Sequence, residues 1–238
     1  MSFPKISRVI SKGEEKVKVK FLLESLELIL NREKCVGCGT CARVCPKEAI
    51  SRGPVGYSRR FPTTEDIIPE VYDPKKCVFC GTCVYMCPFS SLTLKKDDEI
   101  VNLEDITIVK EKVVPILEFE SKKIKNNEGQ ERVVKQYNTG KIRVVDEECA
   151  GGCQTCADVC PSGAITIPPK PEQGWEKAPN VVVDEEKCVF CGACDNACPT
   201  GAIKLEITEI KSSGEFSELF WPPLVERLKK LRWTKTEE

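Results

Sequence analysis

Sixteen cysteines stand in four short runs, and no other feature of this 238-residue chain restricts its fold so tightly. The first run is Cys35, Cys38, Cys41 and Cys45, closed by Pro46. The second is Cys77, Cys80, Cys83 and Cys87 with Pro88, and the fourth is Cys188, Cys191, Cys194 and Cys198 with Pro199. These three read C-x2-C-x2-C-x3-C-P. The third run, Cys149, Cys153, Cys156 and Cys160 with Pro161, opens with one extra residue.

Three cysteines at two-residue gaps let one loop wrap a face of a compact inorganic core, with backbone amides aimed at its sulfurs. The fourth lies beyond a helical turn and faces away, so in the bacterial two-cluster run it ligates the neighbouring cluster. The proline after it sits where no amide is needed. The expected cofactors are four [4Fe-4S] clusters. By the crossing rule the first takes Cys35, Cys38, Cys41 and Cys87, and the second takes Cys77, Cys80, Cys83 and Cys45. The third takes Cys149, Cys153, Cys156 and Cys198, and the fourth takes Cys188, Cys191, Cys194 and Cys160. Zinc pairs two separated C-x2-C units around one tetrahedral ion, which four runs of this kind do not suit.

Composition narrows the class further. A formal net charge of −1 argues against a general nucleic-acid binder, and thiolate ligation makes the loaded protein more acidic than that sum. Histidine is absent, which removes imidazole catalysis, histidine-ligated haem, Rieske centres and mixed zinc sites. Met1 to Lys20 carries no apolar signal core and no run reaches membrane-spanning length. The expectation is a cytoplasmic protein in a reducing compartment. No phosphate-binding glycine loop or flavin fingerprint appears and no cysteine is left over, so no catalytic residue is expected.

The flanks repeat with the cysteines. Apolar segments Leu26–Leu30, Ile67–Val71, Ile142–Val145 and Val181–Val183 precede the runs. Asn31, Asp73, Asp146 and Asp184 then open the turn into each first cysteine. Ala49-Ile50, Ser91–Leu94, Ala164–Ile167 and Ala202–Leu205 follow the prolines. Gly39, Gly81 and Gly192 follow second cysteines, where a tight loop needs positive φ; the third run has Gln154 there and Gly151-Gly152 before Cys153. Val36, Val78, Phe79, Val189 and Phe190 are expected to cover the centres with apolar surface.

The unit is strand, cysteine loop, helical turn, strand. The fold class is α+β: two tandem two-[4Fe-4S] bacterial ferredoxin-like modules with β-rich insertions. First cysteines lie 42 residues apart in the first pair and 39 in the second, but 72 separate runs two and three. That divides the chain into an N-terminal extension (1–25), a first module with clusters one and two (26–94), and a β-rich linker (95–141). A second module with clusters three and four (142–210) and a C-terminal docking tail (211–238) follow. In the linker, Ile106–Val109, Ile116–Phe119 and Arg132–Tyr137 read as strands, with a turn at Asn126-Asn127-Glu128-Gly129. Ser51 to Pro69 forms an insertion with Arg52, Arg59 and Arg60, either a solvated surface or a dock for an acidic partner. Pro168 to Pro179 is proline-rich, and Leu224, Val225, Leu228 and Leu231 mark a helix in the tail that either packs against its own modules or docks a neighbouring subunit.

With these loops in view the chain resembles the polyferredoxin subunit of archaeal formylmethanofuran dehydrogenase. The resemblance rests on the C-P runs, Gly53-Pro54-Val55-Gly56, Lys76-Cys77-Val78-Phe79-Cys80-Gly81, the Cys149 to Cys153 opening and Trp175, and covers most of residues 26 to 210. Family members commonly carry more cluster motifs than four. The resemblance implies single-electron relay to or from a tungsten or molybdenum formate-oxidising site on another subunit, in anaerobic, methanogenic CO2 reduction. Soluble ferredoxin is a further implied partner. The alternative is a polyferredoxin serving a hydrogenase, heterodisulfide reductase or another anaerobic oxidoreductase.

Overall fold

A computed structural model of the chain describes residues 4–11, 13–51, 69–169 and 179–229. Most of the Ser51 to Pro69 and Pro168 to Pro179 insertions, Leu231 and Trp233 lie outside the described residues. The chain starts with strands β1 (Lys5–Ile10) and β2 (Glu14–Lys20), paired antiparallel from Lys5 opposite Lys20 to Ile10 opposite Glu15. β2 alternates Glu15, Val17 and Val19 inward with Lys16, Lys18 and Lys20 outward, the two-residue period of a half-buried strand. It pairs with β3 (Ser25–Asn31), and so β1 and β2 extend the first module's sheet rather than standing apart from it. Buried Glu15 accepts hydrogen bonds from Arg8 Nε at 2.9 Å and Val71 N at 3.1 Å, which ties the extension to the turn before run two.

Two helical turns follow the first cysteine loops, α1 (Thr40–Val44) and α2 (Thr82–Tyr85). Gly39 and Gly81 enter them at φ 73° and 79°, the left-handed region that glycine adopts without cost. The cysteine-proline step ends the first: proline drives the preceding residue out of the helical region, and Cys45 sits at ψ 113°. β4 (Leu92–Lys96) and β5 (Glu99–Ile100) complete a five-stranded sheet in the order β1-β2-β3-β4-β5. Leu28, Leu30, Leu92 and Leu94 point from it into the core.

The linker departs from its sequence reading at one place. Residues 107–110 form a helical turn, α3 (Thr107–Lys110), not a strand. A four-residue stretch with three apolar residues fits either period, and burial decides: Ile106, 0 % exposed, packs where a Cβ on Gly81 would lie. β6 (Ile116–Leu117) is followed by a hairpin of β7 (Glu120–Lys125) and β8 (Glu131–Gln136). Its turn is the expected one, with the Asn126 side chain accepting from Glu128 N at 3.1 Å and Gln130 N at 2.8 Å. The hairpin touches both modules. Lys135 N donates to Pro88 O at 2.8 Å, and Asn127 Nδ2 donates to Ile165 O at 3.1 Å.

β9 (Asn138–Val144), α4 (Thr155–Val159), β10 (Ile165–Thr166), β11 (Val182–Val183), α5 (Ala193–Ala197) and β12 (Ile203–Ile210) build the second module. β9 pairs with β12 and β10 with β11, so the two halves of this module interlock as those of the first do. β13 (Ser212–Ser213) returns to pair with β6, and α6 (Trp221–Lys229) ends the described chain. The tail does not project as a free docking helix. Trp221, Leu224 and Leu228 are 6 %, 0 % and 1 % exposed and belong to the first module's core. Leu224→Ala should cost about 2–5 kcal/mol, whereas Leu219→Ala at an exposed site should change stability by less than about 0.5 kcal/mol. Guanidinium midpoints for the loss of iron–sulfur absorbance check both.

Candidate metal centres

Each cysteine run is shaped by the same local devices. Asn31 Oδ1 accepts from Lys34 N at 2.9 Å, Asp73 Oδ1 from Lys75 N at 3.1 Å, and Asp184 Oδ1 from Glu186 N at 3.1 Å, turning the chain into the first cysteine. Asp146 departs: its Oδ1 accepts from Asn180 N at 3.1 Å, across the module. Gly192 repeats the left-handed entry at φ 86°, whereas Gln154 stands at φ −106° and Gly152 takes the positive φ of 88° instead. The extra residue of run three is thus absorbed before the second cysteine.

The structure brings the sulfurs together across runs. Burial pushes the Cys41 thiol well above the ordinary range, and Cys35, Cys38, Cys83 and Cys87 push it further. Cys83 is raised likewise, by burial and then by Cys80, Cys77, Cys45 and Cys87. Burial lifts Cys77 to about 11 against a hydrogen bond from Phe79 N, and Cys45 is the first neighbouring sulfur acting on it. In the second module burial lifts Cys156 to about 12, with Cys153, Cys198 and Cys149 beside it. Cys194 is raised by burial and by Cys191, Cys160 and Cys188. The last cysteine of each run therefore lies among the first three of its partner run. A cavity in the first module repeats the pattern, lined by Cys45 with Cys77, Cys80 and Cys83 between Leu28, Ile50 and Leu94.

Such desolvated sulfurs resist ionisation unless a cation stands among them, because a charge moved from water into an apolar site is costly. Among the described residues no three cysteine, aspartate or glutamate side chains converge as a single-ion site requires, with zinc–sulfur bonds of about 2.3 Å. The donor set is all-thiol, which suits iron–sulfur centres. A buried cation fits the same group. Arg43 is 1 % exposed, its Nη2 donates to Cys38 O at 3.3 Å, and its Nε and Nη1 have no hydrogen-bond partner among the described residues. An anionic thiolate-ligated core beside it supplies the missing counter-charge.

Donors aimed at sulfur complete the sites. Ala49 N and Ser91 N lie 3.3 Å from Cys45 Sγ and Cys87 Sγ. Cys198 is buried yet held below the ordinary thiol range by bonds from Ile203 N, the Thr200 hydroxyl, Ala202 N and Thr200 N. Thr40, Thr82 and Thr155 bring a hydroxyl to 3.4, 3.2 and 3.3 Å from Cys38, Cys80 and Cys153 Sγ. A thiolate has no proton to give, so in the ligated state each hydroxyl is the donor. Sequence reasoning passed over these threonines, although the C-x-T-C pattern recurs in three runs and becomes Ala193 in the fourth. It also passed over Arg43. Val36 and Val189 are buried at 2 % and 5 % exposure, whereas Val78 is 54 % exposed at the rim of the Cys77 cavity.

Comparison with known proteins agrees with this pairing. Residues 34–91 and 148–202 each match the 4Fe-4S dicluster domain family. A second 4Fe-4S dicluster family matches 69–161, spanning runs two and three, but the sulfur neighbours pair run two with run one. The chain is similar to the polyferredoxin protein FwdF of Methanocaldococcus jannaschii, at 56 % identity over 34 residues. That stretch is 14 % of this chain and spans only a tenth of the relative's length. It is also similar, at 28 % identity and a TM-score of 0.78, to a chain of a solved Methanospirillum hungatei assembly. The assembly is a formate dehydrogenase–heterodisulfide reductase–formylmethanofuran dehydrogenase complex, and the likeness covers 96 % of this chain and 92 % of that one.

Thr82→Val removes the hydroxyl from Cys80. A donor stabilises the more negative, reduced state, so its loss should lower the potential of that centre by about 20–60 mV, the equivalent of about 0.5–1.5 kcal/mol for one electron. An EPR-monitored redox titration of the loaded protein reads the shift, with iron content unchanged.

Proposed function

We propose that this chain, in which two 4Fe-4S dicluster domains stand in tandem, relays single electrons to or from the tungsten or molybdenum formate-oxidising site of a formylmethanofuran dehydrogenase assembly. The observation that carries the reading is the structural likeness, over nearly the whole of both chains, to a component of the Methanospirillum complex. The 34-residue identity with FwdF points the same way.

In this reading Cys35, Cys38, Cys41 and Cys87 hold one cluster, and Cys77, Cys80, Cys83 and Cys45 a second. Cys149, Cys153, Cys156 and Cys198 hold a third, and Cys188, Cys191, Cys194 and Cys160 a fourth. The cross-run sulfur neighbours support these sets. Residues 26–94 and 142–210 are the two functional modules. Bound in them, each [4Fe-4S] cluster supplies a one-electron couple whose potential, between about −700 and +450 mV, depends on its surroundings. The chain's part is to set those surroundings. Leu28, Ile50, Val36 and Val189 exclude water, the threonine hydroxyls and loop amides donate to sulfur, and Arg43 offsets negative charge.

The chain has no substrate site of its own, since every cysteine is assigned to a cluster and no histidine is present. Among the described residues no helix is long and apolar enough to cross a membrane, and cytoplasmic residence agrees with sixteen free thiols.

The same Methanospirillum complex contains heterodisulfide reductase, which keeps a second reading open: relay to that enzyme. Affinity purification from the native source separates the two. Tungsten or molybdenum should co-purify; flavin without either would favour the second reading, and nickel alone would favour a hydrogenase. Cys45→Ser tests the ligand sets. Iron should fall from about sixteen to about twelve per chain with loss of the second cluster and retention of the first, and the reverse would sink the crossing.

A further inference from the structure

The two modules meet at one cysteine loop from each. Asn196, on α5 of the second module, donates through Nδ2 to Cys38 O at 2.6 Å and reaches Gly37 O at 3.4 Å. Arg43 holds the same Cys38 carbonyl from inside the first module at 3.3 Å. Val189 belongs to the first module's core, although its chain neighbours belong to the second, and Cys191 packs against both cores. Phe190 O accepts from Asn138 Nδ2 at 3.0 Å, which fixes the run-four loop on the strand that leads out of the bridging hairpin.

Exposure follows the same geometry. Cys35, Cys38, Cys41 and Cys87 are all buried. Cys77 and Cys80 are half-buried beside exposed Val78, and Cys149 and Cys153 are half-buried beside exposed Gly151 and Gly152. The set headed by Cys35 is therefore interior. The sets headed by Cys77, Cys149 and Cys188 each carry two half-buried cysteines.

We infer that electrons cross between the modules at the Cys38–Cys191 junction clasped by Asn196, so that the four sites run in the spatial order two, one, four, three. The run order in the sequence is not the order of the path. The inference rests on the electron-relay reading above. Each crossing moves one electron from the reduced side to the oxidised side, with no bond made or broken and no proton displaced. The junction suits that step because Cys191 packs against both cores and the 2.6 Å bond from Asn196 holds the loops together, and so little has to rearrange. The sites headed by Cys77 and Cys149 become the two ends, where outside one-electron donors and acceptors dock.

Two complementary double variants test this order by EPR of the fully reduced protein. Cys83→Ala with Cys156→Ala removes sites two and three and leaves one and four, which should give a split, spin-coupled spectrum. Cys41→Ala with Cys194→Ala leaves sites two and three, which should give two uncoupled signals. Uncoupled signals in the first variant, or a coupled spectrum in the second, would overturn the order. Iron reports separately on the ligand sets, at about eight atoms per chain in each variant. Any other count sinks those sets, and the intact chain then decides the junction alone. There, Asn196→Trp wedges the loops apart without replacing a ligand; iron should stay at about sixteen while splitting between the modules is lost. A spectrum unchanged from the parent would overturn the proposal.

Discussion

Everything in this molecule depends on gathering thiols where water cannot stabilise them. A thiolate in an apolar pocket is unfavourable by several kcal/mol unless positive charge stands beside it and donors point at its sulfur. The chain meets the second condition itself, through loop amides, Thr40, Thr82, Thr155 and Thr200. The iron–sulfur core meets the first. The small strands around each loop bury little apolar area alone, so the centre and its ligands act as the core of each module.

That dependence explains how the rest of the chain is used. The five-stranded sheet, the β7–β8 hairpin and α6 leave the ligands alone and hold the loops in place. Arg227 of α6 donates to Cys45 O at 3.1 Å, the Tyr137 hydroxyl donates to Met86 O at 2.7 Å, and Arg132 donates to Glu33 O at 2.8 Å. Each bond lands on a carbonyl within two residues of a cysteine. A shift there would change the distance between a donor and its sulfur, and with it the potential.

Several features were legible in the residues because their cause is local. Gly39, Gly81 and Gly192 stand at positive φ since the loop geometry demands it, and Cys45, Cys160 and Cys198 end their helical turns because a residue before proline cannot continue them. Strands with a two-residue period and the Asn126–Gly129 turn were readable for the same reason. The residues 106–109 were misread because a four-residue stretch with three apolar residues fits either period until Gly81 provides the space that Ile106 fills. Whether the tail covers its own modules or a partner was not legible, because an amphipathic helix carries no record of which surface will cover it. Val78 occupies a covering position by its place in the run, and only the outward turn of the second loop exposes it.

By itself the sequence determined the cofactor chemistry and the count of sites, since spacing between ligands a few residues apart is a property of the local chain. Tertiary structure alone decided which sites are neighbours across the modules, which are interior and which reach solvent. Cys38 and Asn196 lie 158 residues apart, and nothing local to either marks the other. Their meeting comes from how the bridging hairpin and α6 seat one module on the other. The order of the sites is a property of that packing.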